Sequence, residues 1–294
     1  MSTVQRTIAV IFDFDDTLIP DSTSELLKRH HIDPDVFWGE SRRLVTTLGF
    51  DPAHAYLTLL LNEVGKGKPL GNLTNADLTR FGRRLDDKFY PGVKRMFGDL
   101  RRVAEKSKFE VRFYIVSGGL EEIIKGSKTV QDNVSWVFGC SLVGDTIRGP
   151  LKYIRRCVTF TEKTRFLFEI NKFGRDLRRS AANPYLVNKA VEKRQRDVPF
   201  TNMIYVGDGL TDIPCFSLVK QYGGLAFGVF DRTETSAKRG LREFLKTDRV
   251  TSMHLPMYGS KDELGMMLRA AVANRCAELS LEKVQAEEID YREA

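Results

Sequence analysis

Short apolar runs recur along the chain and predict buried β-strands. They are Thr7–Phe14, Val111–Val116, Asn202–Val206 and Gly224–Phe230. Runs of this length that are rich in Ile, Val and aromatic residues are typical of strands covered on both faces, as in a parallel sheet. Between these runs apolar residues recur at helical spacing, as they do from Val93 to Ala104. The pattern predicts an α/β fold, in which helices flank a parallel sheet.

Residues 20–90 carry repeated helix signals and lack a good strand pattern. Asp33-Pro34 and Asp51-Pro52 each read as an N-cap followed by proline at the first helical position. Thr74 and Asp77 have the spacing of a capping box. We therefore predict a helical cap domain over residues 20–90, inserted into a core that is formed by residues 1–19 and 91–250.

Two further segments have patterns of their own. Residues 139–160 place glycine turns between β-rich pieces, which predicts a hairpin. Apolar residues from Leu264 to Cys276 share one helical face, which predicts a long helix over residues 260–288. Residues 251–294 are accordingly expected to form a C-terminal helical extension that packs on the core.

The composition restricts the class of protein. The 294 residues are 42% hydrophobic and include four cysteines, none of them in a CxxC pair. This spacing argues against a disulfide framework or a zinc site and suits a reducing compartment. No apolar run reaches the roughly 18 residues that a membrane span needs. We predict a cytoplasmic protein without a membrane partner.

Positive charge is concentrated in one part of the chain. The formal net charge is +7, while residues 152–196 alone carry 13 Lys/Arg against 4 Asp/Glu, a net +9. Solvated helix faces account for most of these residues. The alternative is a surface that meets anions, including nucleic acid.

Polar residues follow three of the predicted strands directly. The first strand is followed by two carboxylates and a threonine, Asp13, Asp15 and Thr17. The second strand is followed by the small residues Ser117, Gly118 and Gly119, and the third by the carboxylates Asp208 and Asp212. Ligands of open parallel sheets bind at the carboxyl ends of the strands. Clustered carboxylates repel each other, so a shared site requires a cation, and all-oxygen ligands favour Mg²⁺.

Asp13 and Asp15 are two residues apart. If the first strand runs through Phe14, their side chains point to the same side of the sheet. Two carboxylates in this arrangement can divide the work of nucleophile and general acid/base.

The four motifs together resemble the haloacid dehalogenase superfamily. DFDDT matches its DxDxT/V motif, Ser117 its second motif, Lys163 its third and GDGLTD its GDxxxD form. The SGG at Ser117–Gly119 and the helical insertion make the chain most similar to the phosphoserine-phosphatase-like branch. The resemblance implies a Rossmann-like core and a Mg²⁺-dependent phosphatase that acts on a small phosphorylated metabolite.

The resemblance also implies a role for each matched residue. Asp13 would attack phosphorus and become an aspartyl-phosphate. Asp15 would protonate the leaving alkoxide and then deprotonate the attacking water. Lys163 would neutralise charge between Asp13 and the phosphoryl group.

The remaining matched residues would bind phosphate and metal. Phosphate oxygens would be held by Ser117, the amides of Gly118 and Gly119, and Lys163. Mg²⁺ would be bound by Asp13, the backbone carbonyl of Asp15, Asp208 and, from the outer shell, Asp212.

Other functions remain open at this stage. Dehalogenation fits poorly, because the dehalogenases of this superfamily dispense with the metal. Transfer of phosphate to another hydroxyl uses the same residues. A protein that binds nucleic acid or processes end phosphates through residues 152–196 is a further alternative, although no recognised nucleic-acid motif is present. A binding protein with a dead site fits least, since every catalytic position is filled. The substrate and the oligomeric state are not indicated.

Overall fold

The computed structural model of the chain describes residues 6–230 and 249–293, with side chains described as far as residue 285. Residues 1–5, 231–248 and 294, which belong to the predicted core and C-terminal extension, lie outside the described residues. Among the described helices, none is long and apolar enough to cross a membrane.

The described strands form one sheet in the order β4-β3-β2-β1-β5-β6-β7. Their bounds are β1 Thr7–Phe12, β2 Glu110–Leu120, β3 Trp136–Val143, β4 Tyr153–Arg156, β5 Met203–Gly207, β6 Leu225–Val229 and β7 Ser252–His254. Neighbouring strands are parallel except β3 and β4, which form the predicted antiparallel hairpin. The predicted α/β, Rossmann-like fold is confirmed.

The strand register places the carboxyl end of β1 beside the carboxyl end of β5 and beside Ile115 of β2, two residues before Ser117. Phe12 at the end of β1 pairs with Ile115 on one side and with Val206 on the other. After β1 the chain adds β2 and then β3 on one side of β1. It later adds β5, β6 and β7 on the other side, so the strand order reverses at β1. This switch point is where open α/β sheets bind ligands.

The ends of β1 and β2 differ from the sequence prediction by more than one residue. β1 stops at Phe12 instead of Phe14, because the Phe14 carbonyl already accepts a turn hydrogen bond from Leu18 N at 2.9 Å. β2 continues to Leu120, and its register against β3 shifts between Val116 and Leu120. The Ser-Gly-Gly sequence therefore lies in an irregular stretch of strand and not in a loop after it.

Four helices follow β1 within residues 20–90: α1 Ser22–Arg29, α2 Pro34–Leu48, α3 Pro52–Asn62 and α4 Asn75–Arg84. Asp33 and Asp51 cap α2 and α3 as predicted, and Thr74 and Asp77 form the capping box of α4. The two ends of this insertion meet, since Tyr90 N donates to Leu18 O at 2.9 Å. This contact supports the proposed cap boundaries near residues 19 and 91.

The remaining helices are α5 Val93–Glu105, α6 Glu121–Gly126, α7 Lys128–Asn133, α8 Phe160–Phe173, α9 Leu177–Ala182, α10 Ile213–Gln221 and α11 Glu263–Glu293. α5 packs against α11, and α8 packs against α10. The long C-terminal helix is as predicted, but residues 251–294 are not wholly helical. Residues 252–254 add the short strand β7 to the sheet beside β6, and a three-residue run with Ser and His gives too little signal to be predicted as a strand.

Candidate active site

Three carboxylates converge at the end of β1. Asp13 follows β1, Asp208 follows β5, and Asp212 ends the 3-10 turn that comes next. One oxygen from each lies within 4.8 Å of the others. Thr17 Oγ1 donates to Asp208 Oδ1 at 3.2 Å and so attaches the turn after β1 to this cluster.

Lys163, in the first turn of α8, lies among these carboxylates and is only 1% exposed. Its ammonium nitrogen is 2.6 Å from Asp13 Oδ2 and 2.8 Å from Asp212 Oδ1. A third contact reaches Thr211 Oγ1 at 3.2 Å. The lysine therefore joins the residue after β1 to the residues after β5.

The site carries more negative charge than Lys163 balances. Burial raises the pKa of Asp13 to about 6, against the lowering effect of Lys163. Burial, together with repulsion from Asp13 and Asp212, raises the pKa of Asp208 well above its usual value. Burial would lower the pKa of Lys163, but the two carboxylates raise it, so the lysine stays charged. Three clustered oxygen donors that repel each other are a donor set that fits a hard divalent cation.

Asp212 is the most enclosed of the three carboxylates, with 0% exposure. Besides Lys163 it accepts a hydrogen bond from Tyr205 Oη at 2.7 Å and one from Gly209 N at 3.2 Å. Tyr205 and Thr17 support the site. Thr17 belongs to the DFDDT motif, whereas no motif includes Tyr205. Tyr205 lies within an apolar strand, where an aromatic residue normally signals only core packing.

Asp15 lies apart from the carboxylate cluster. Its Oδ1 accepts from Ser22 N at 2.8 Å, and a Cβ added at Gly119 would overlap its Oδ2. Burial raises the pKa of Asp15 well above its usual value, and the nearby Asp21 adds to this. The two aspartates therefore have different neighbours, and strand alternation does not explain their placement, since β1 ends at Phe12.

The predicted phosphate-binding residues lie beside Asp15. Ser117 is 1% exposed, and its Oγ accepts from Gly119 N at 3.0 Å. Tyr56 Oη, from helix α3 of the insertion, donates to Gly118 O at 2.6 Å. Tyr56 belongs to no motif, so the sequence held no signal that could have found it.

The haloacid dehalogenase-like hydrolase profile matches residues 10–217, which include every residue of the site described in this subsection. The chain belongs to the haloacid dehalogenase-like hydrolase family. It is also 31% identical over 243 residues to an uncharacterized protein of Borreliella burgdorferi, a match that covers 74% of this chain and 80% of the relative.

Solved structures share the fold of this hydrolase at low sequence identity. Cytosolic 5'-nucleotidase IIIB bound to cytidine has a TM-score of 0.53 at 13% identity, with 94% of this chain and 88% of that chain covered. A probable phosphoserine phosphatase from Vibrio cholerae has a TM-score of 0.53 at 14% identity, covering 94% and 67%. A HAD family hydrolase from Salmonella enterica serovar Typhi has a TM-score of 0.52 at 14% identity, covering 84% and 66%. The match therefore spans about two thirds of the length of the last two chains.

The helical insertion of this hydrolase contributes a series of hydrogen-bonded polar side chains next to Asp15. Asp21 is the N-cap of α1 and accepts from the Ser24 hydroxyl, which in turn accepts from Trp38 Nε1 at 2.8 Å. Ser22 is fully buried, and its amide is used by Asp15. Glu25 forms ion pairs with Lys28 at 3.1 Å and with Lys88 at 3.7 Å.

The basic segment 152–196 is divided between several environments. Lys163 lies in the site, and Arg156 forms an ion pair with the buried Glu121. By contrast, Arg178, Arg179 and Lys189 are exposed on and after α9. The charge excess is therefore partly internal, and only part of it is available to a partner.

Proposed function

We propose that this hydrolase is a Mg²⁺-dependent phosphatase that hydrolyses a phosphomonoester through an aspartyl-phosphate on Asp13. The observation that carries the proposal is the buried Lys163 ammonium, held at 2.6 Å from Asp13 and 2.8 Å from Asp212. A fixed positive charge beside a carboxylate is what stabilises a phosphoryl group during transfer. The fold is also shared by structures named as a 5'-nucleotidase and a probable phosphoserine phosphatase.

In the first step, a carboxylate oxygen of Asp13 attacks phosphorus and the ester P–O bond breaks. The leaving oxygen takes a proton from Asp15. The raised pKa of Asp15 suits this role, because burial favours the protonated carboxyl that the leaving oxygen requires. The amide of Phe14 donates to Asp13 Oδ1 at 2.6 Å and helps to orient the nucleophile.

In the second step, Asp15 accepts a proton from water, and the water oxygen attacks phosphorus. The bond between phosphorus and Asp13 then breaks and inorganic phosphate leaves. Asp15 returns to its protonated form, so the cycle is balanced. Its hydrogen bond from Ser22 N, at 2.8 Å, holds the carboxyl in place for both proton transfers.

The phosphoryl oxygens would be held by Ser117, the amides of Gly118 and Gly119, and Lys163. Ser117 and Lys163 are each 1% exposed, so these groups act where water is largely excluded. Their hydrogen bonds to a developing charge are stronger there than in water.

Mg²⁺ would be held by Asp13 and Asp208, with the backbone carbonyl of Asp15, and Asp212 would support this shell. When bound, the ion supplies a second positive charge beside the phosphoryl oxygens. The residues fit this role because three oxygen donors lie within 4.8 Å of one another. A small phosphorylated metabolite as substrate and a cytoplasmic location are parts of the same proposal.

The test is release of phosphate from p-nitrophenyl phosphate and from a panel of phosphorylated metabolites, with Mg²⁺ present. Wild-type protein should turn over, and Asp13→Asn should be inactive while remaining folded, because an amide is a poor nucleophile. Asp35→Asn, an exposed position on α2, is the matched control and should keep full activity. Turnover by Asp13→Asn at the wild-type rate would refute the proposal.

A further inference from the structure

Tyr56 joins the helical insertion to the predicted phosphate-binding residues. It lies on α3, is 6% exposed, and donates from its hydroxyl to Gly118 O at 2.6 Å. Its ring packs against Trp38, with 5.7 Å between the ring centroids. The hydroxyl is therefore directed at one backbone carbonyl by a packed ring.

The bonded carbonyl belongs to the same peptide unit as the amide of Gly119. In a trans peptide the C=O and the N–H are coplanar and point in opposite directions. A hydrogen bond that holds the Gly118 carbonyl in place therefore also fixes the direction of the Gly119 N–H. That amide now donates to Ser117 Oγ at 3.0 Å, on the side where Gly119 lies against Asp15.

A peptide between two glycines needs such a hydrogen bond to hold its orientation. Glycine accepts many backbone conformations, so neither residue prevents this peptide plane from rotating. A Cβ added at Gly118 would meet no atom within 4 Å other than those of its chain neighbours, so no packing contact restrains Gly118 on that side. A hydrogen bond to the carbonyl also polarises the peptide and strengthens its N–H as a donor.

We propose that Tyr56 is a positioning residue that aims the Gly119 amide at the phosphoryl group of the substrate. The inference rests on the proposed phosphatase function and assigns to the insertion a specific task in it. Burial keeps the pKa of Tyr56 well above its usual value, so the hydroxyl remains a donor over the working pH range.

The test uses Tyr56→Phe, which keeps the ring and removes only the hydroxyl. Its matched control is Tyr114→Phe. Tyr114 is also buried and its hydroxyl also donates to a glycine carbonyl, Gly174 O at 3.0 Å, but this glycine lies at the end of α8 opposite to Lys163. Both variants should lose similar thermal stability, since each loses one buried hydrogen bond.

Affinity for inorganic orthophosphate, measured calorimetrically with Mg²⁺ present, separates the two variants. We expect about a tenfold weaker Kd for Tyr56→Phe and an unchanged Kd for Tyr114→Phe, in line with loss of one oriented donor to a charged ligand. In ¹⁵N-glycine spectra the Gly119 amide should shift with orthophosphate in the wild type and shift less in Tyr56→Phe.

Each outcome has a distinct meaning. If wild-type protein binds orthophosphate and Tyr56→Phe binds it equally well, or if both variants are weakened equally, the inference about Tyr56 is overturned and the phosphatase proposal stands. If the wild type neither binds orthophosphate nor hydrolyses any phosphate ester, the proposed function is refuted, and the role of Tyr56 is refuted with it.

Discussion

Lys163 Nζ lies 2.6 Å from Asp13 Oδ2, although 150 positions separate the two residues in the chain. Both side chains are almost fully buried, at 1% and 8% exposure. Neither charge would be tolerated there alone, because an unpaired buried ion loses its hydration without compensation. The ion pair therefore links the end of strand β1 to helix α8, and each charge is stable there only while the other is present.

Replacement of Lys163 by Met should destabilise the metal-free protein by about 3–5 kcal/mol, the cost of leaving buried charges unpaired. Activity should also be lost. Added Mg²⁺ should restore part of the stability, since it can balance the carboxylates that the lysine has left. Chemical denaturation with and without Mg²⁺ measures both effects.

Lys128→Met is the control for this prediction. Lys128 also pairs with an aspartate, Asp132, but both side chains are more than half exposed. Exposed ion pairs contribute little to stability, so this variant should unfold like the wild type. Equal losses in the two variants would show that burial of the Lys163 ion pair is not the cause.

Gly118 and Gly119 should respond differently to alanine. A Cβ at Gly119 would overlap Asp15 Oδ2 and lie 3.3 Å from Ser117 Oγ, whereas a Cβ at Gly118 would meet open space. Both variants keep their backbone N–H. Gly119→Ala should lower kcat on the order of a hundredfold by displacing Asp15, and Gly118→Ala should remain within a few-fold of wild type. Steady-state kinetics on one phosphate ester compares kcat for the two variants. A larger loss of kcat in Gly118→Ala than in Gly119→Ala would show that Asp15 is not held against Gly119.

Removal of bound metal should abolish the phosphatase activity, and added Mg²⁺ should restore it. Ca²⁺ should not, because it accepts more oxygen ligands in a looser geometry. Binding also has a readout without activity: Mg²⁺ at about 100 times its Kd should stabilise the fold by about 2.7 kcal/mol. Asp208→Asn should abolish this gain, and Asp35→Asn should keep it. Full activity in the presence of EDTA would contradict the proposed site.

Phosphoserine should not be the preferred substrate. The resemblance to the phosphoserine-phosphatase-like branch implies a glutamate nine positions after the nucleophile to meet the substrate ammonium, and here that position is Ser22. Ser22 is fully buried, and its backbone amide donates a hydrogen bond to Asp15. Asp21 caps α1, and Glu25 is paired with Lys28 and Lys88.

Comparison of kcat/KM for phosphoserine, sugar phosphates, nucleotides and glycerol phosphates at one Mg²⁺ concentration tests this expectation. A tenfold preference for phosphoserine, about 1.4 kcal/mol, would show that the insertion meets the ammonium group through other residues.

The sequence was sufficient where a local rule applies. Asp33 and Asp51 were predicted as helix caps because a carboxylate before proline has a known geometry. The ends of β1 at Phe12 and of β5 at Gly207 lie close to the predicted ends, because buried parallel strands are apolar throughout. The convergence of Asp13, Lys163, Asp208 and Asp212 followed from motif order and from the rule for parallel sheets.

Features that depend on tertiary contacts were not predictable. Tyr56 and Tyr205 carry polar tips on apolar rings, and only the folded chain shows which backbone or carboxylate they meet. The divergence of Asp15 from Asp13 follows from a turn that begins at Phe14 and could not be read from strand periodicity. The strand β7 is too short to produce an apolar pattern of its own.

The account depends most directly on a covalent phosphoryl group at Asp13, and Asp15→Asn with p-nitrophenyl phosphate makes that group observable. This ester releases a stable anion and needs little proton transfer, so the first step should proceed, while the second step lacks its base. Rapid mixing with Mg²⁺ should give a burst of about one p-nitrophenolate per protein molecule, and peptide mass spectrometry after acid quenching should locate the phosphoryl group on Asp13. A phosphoryl group on another residue, or no burst and no labelled protein in a variant that still turns over, would contradict the mechanism.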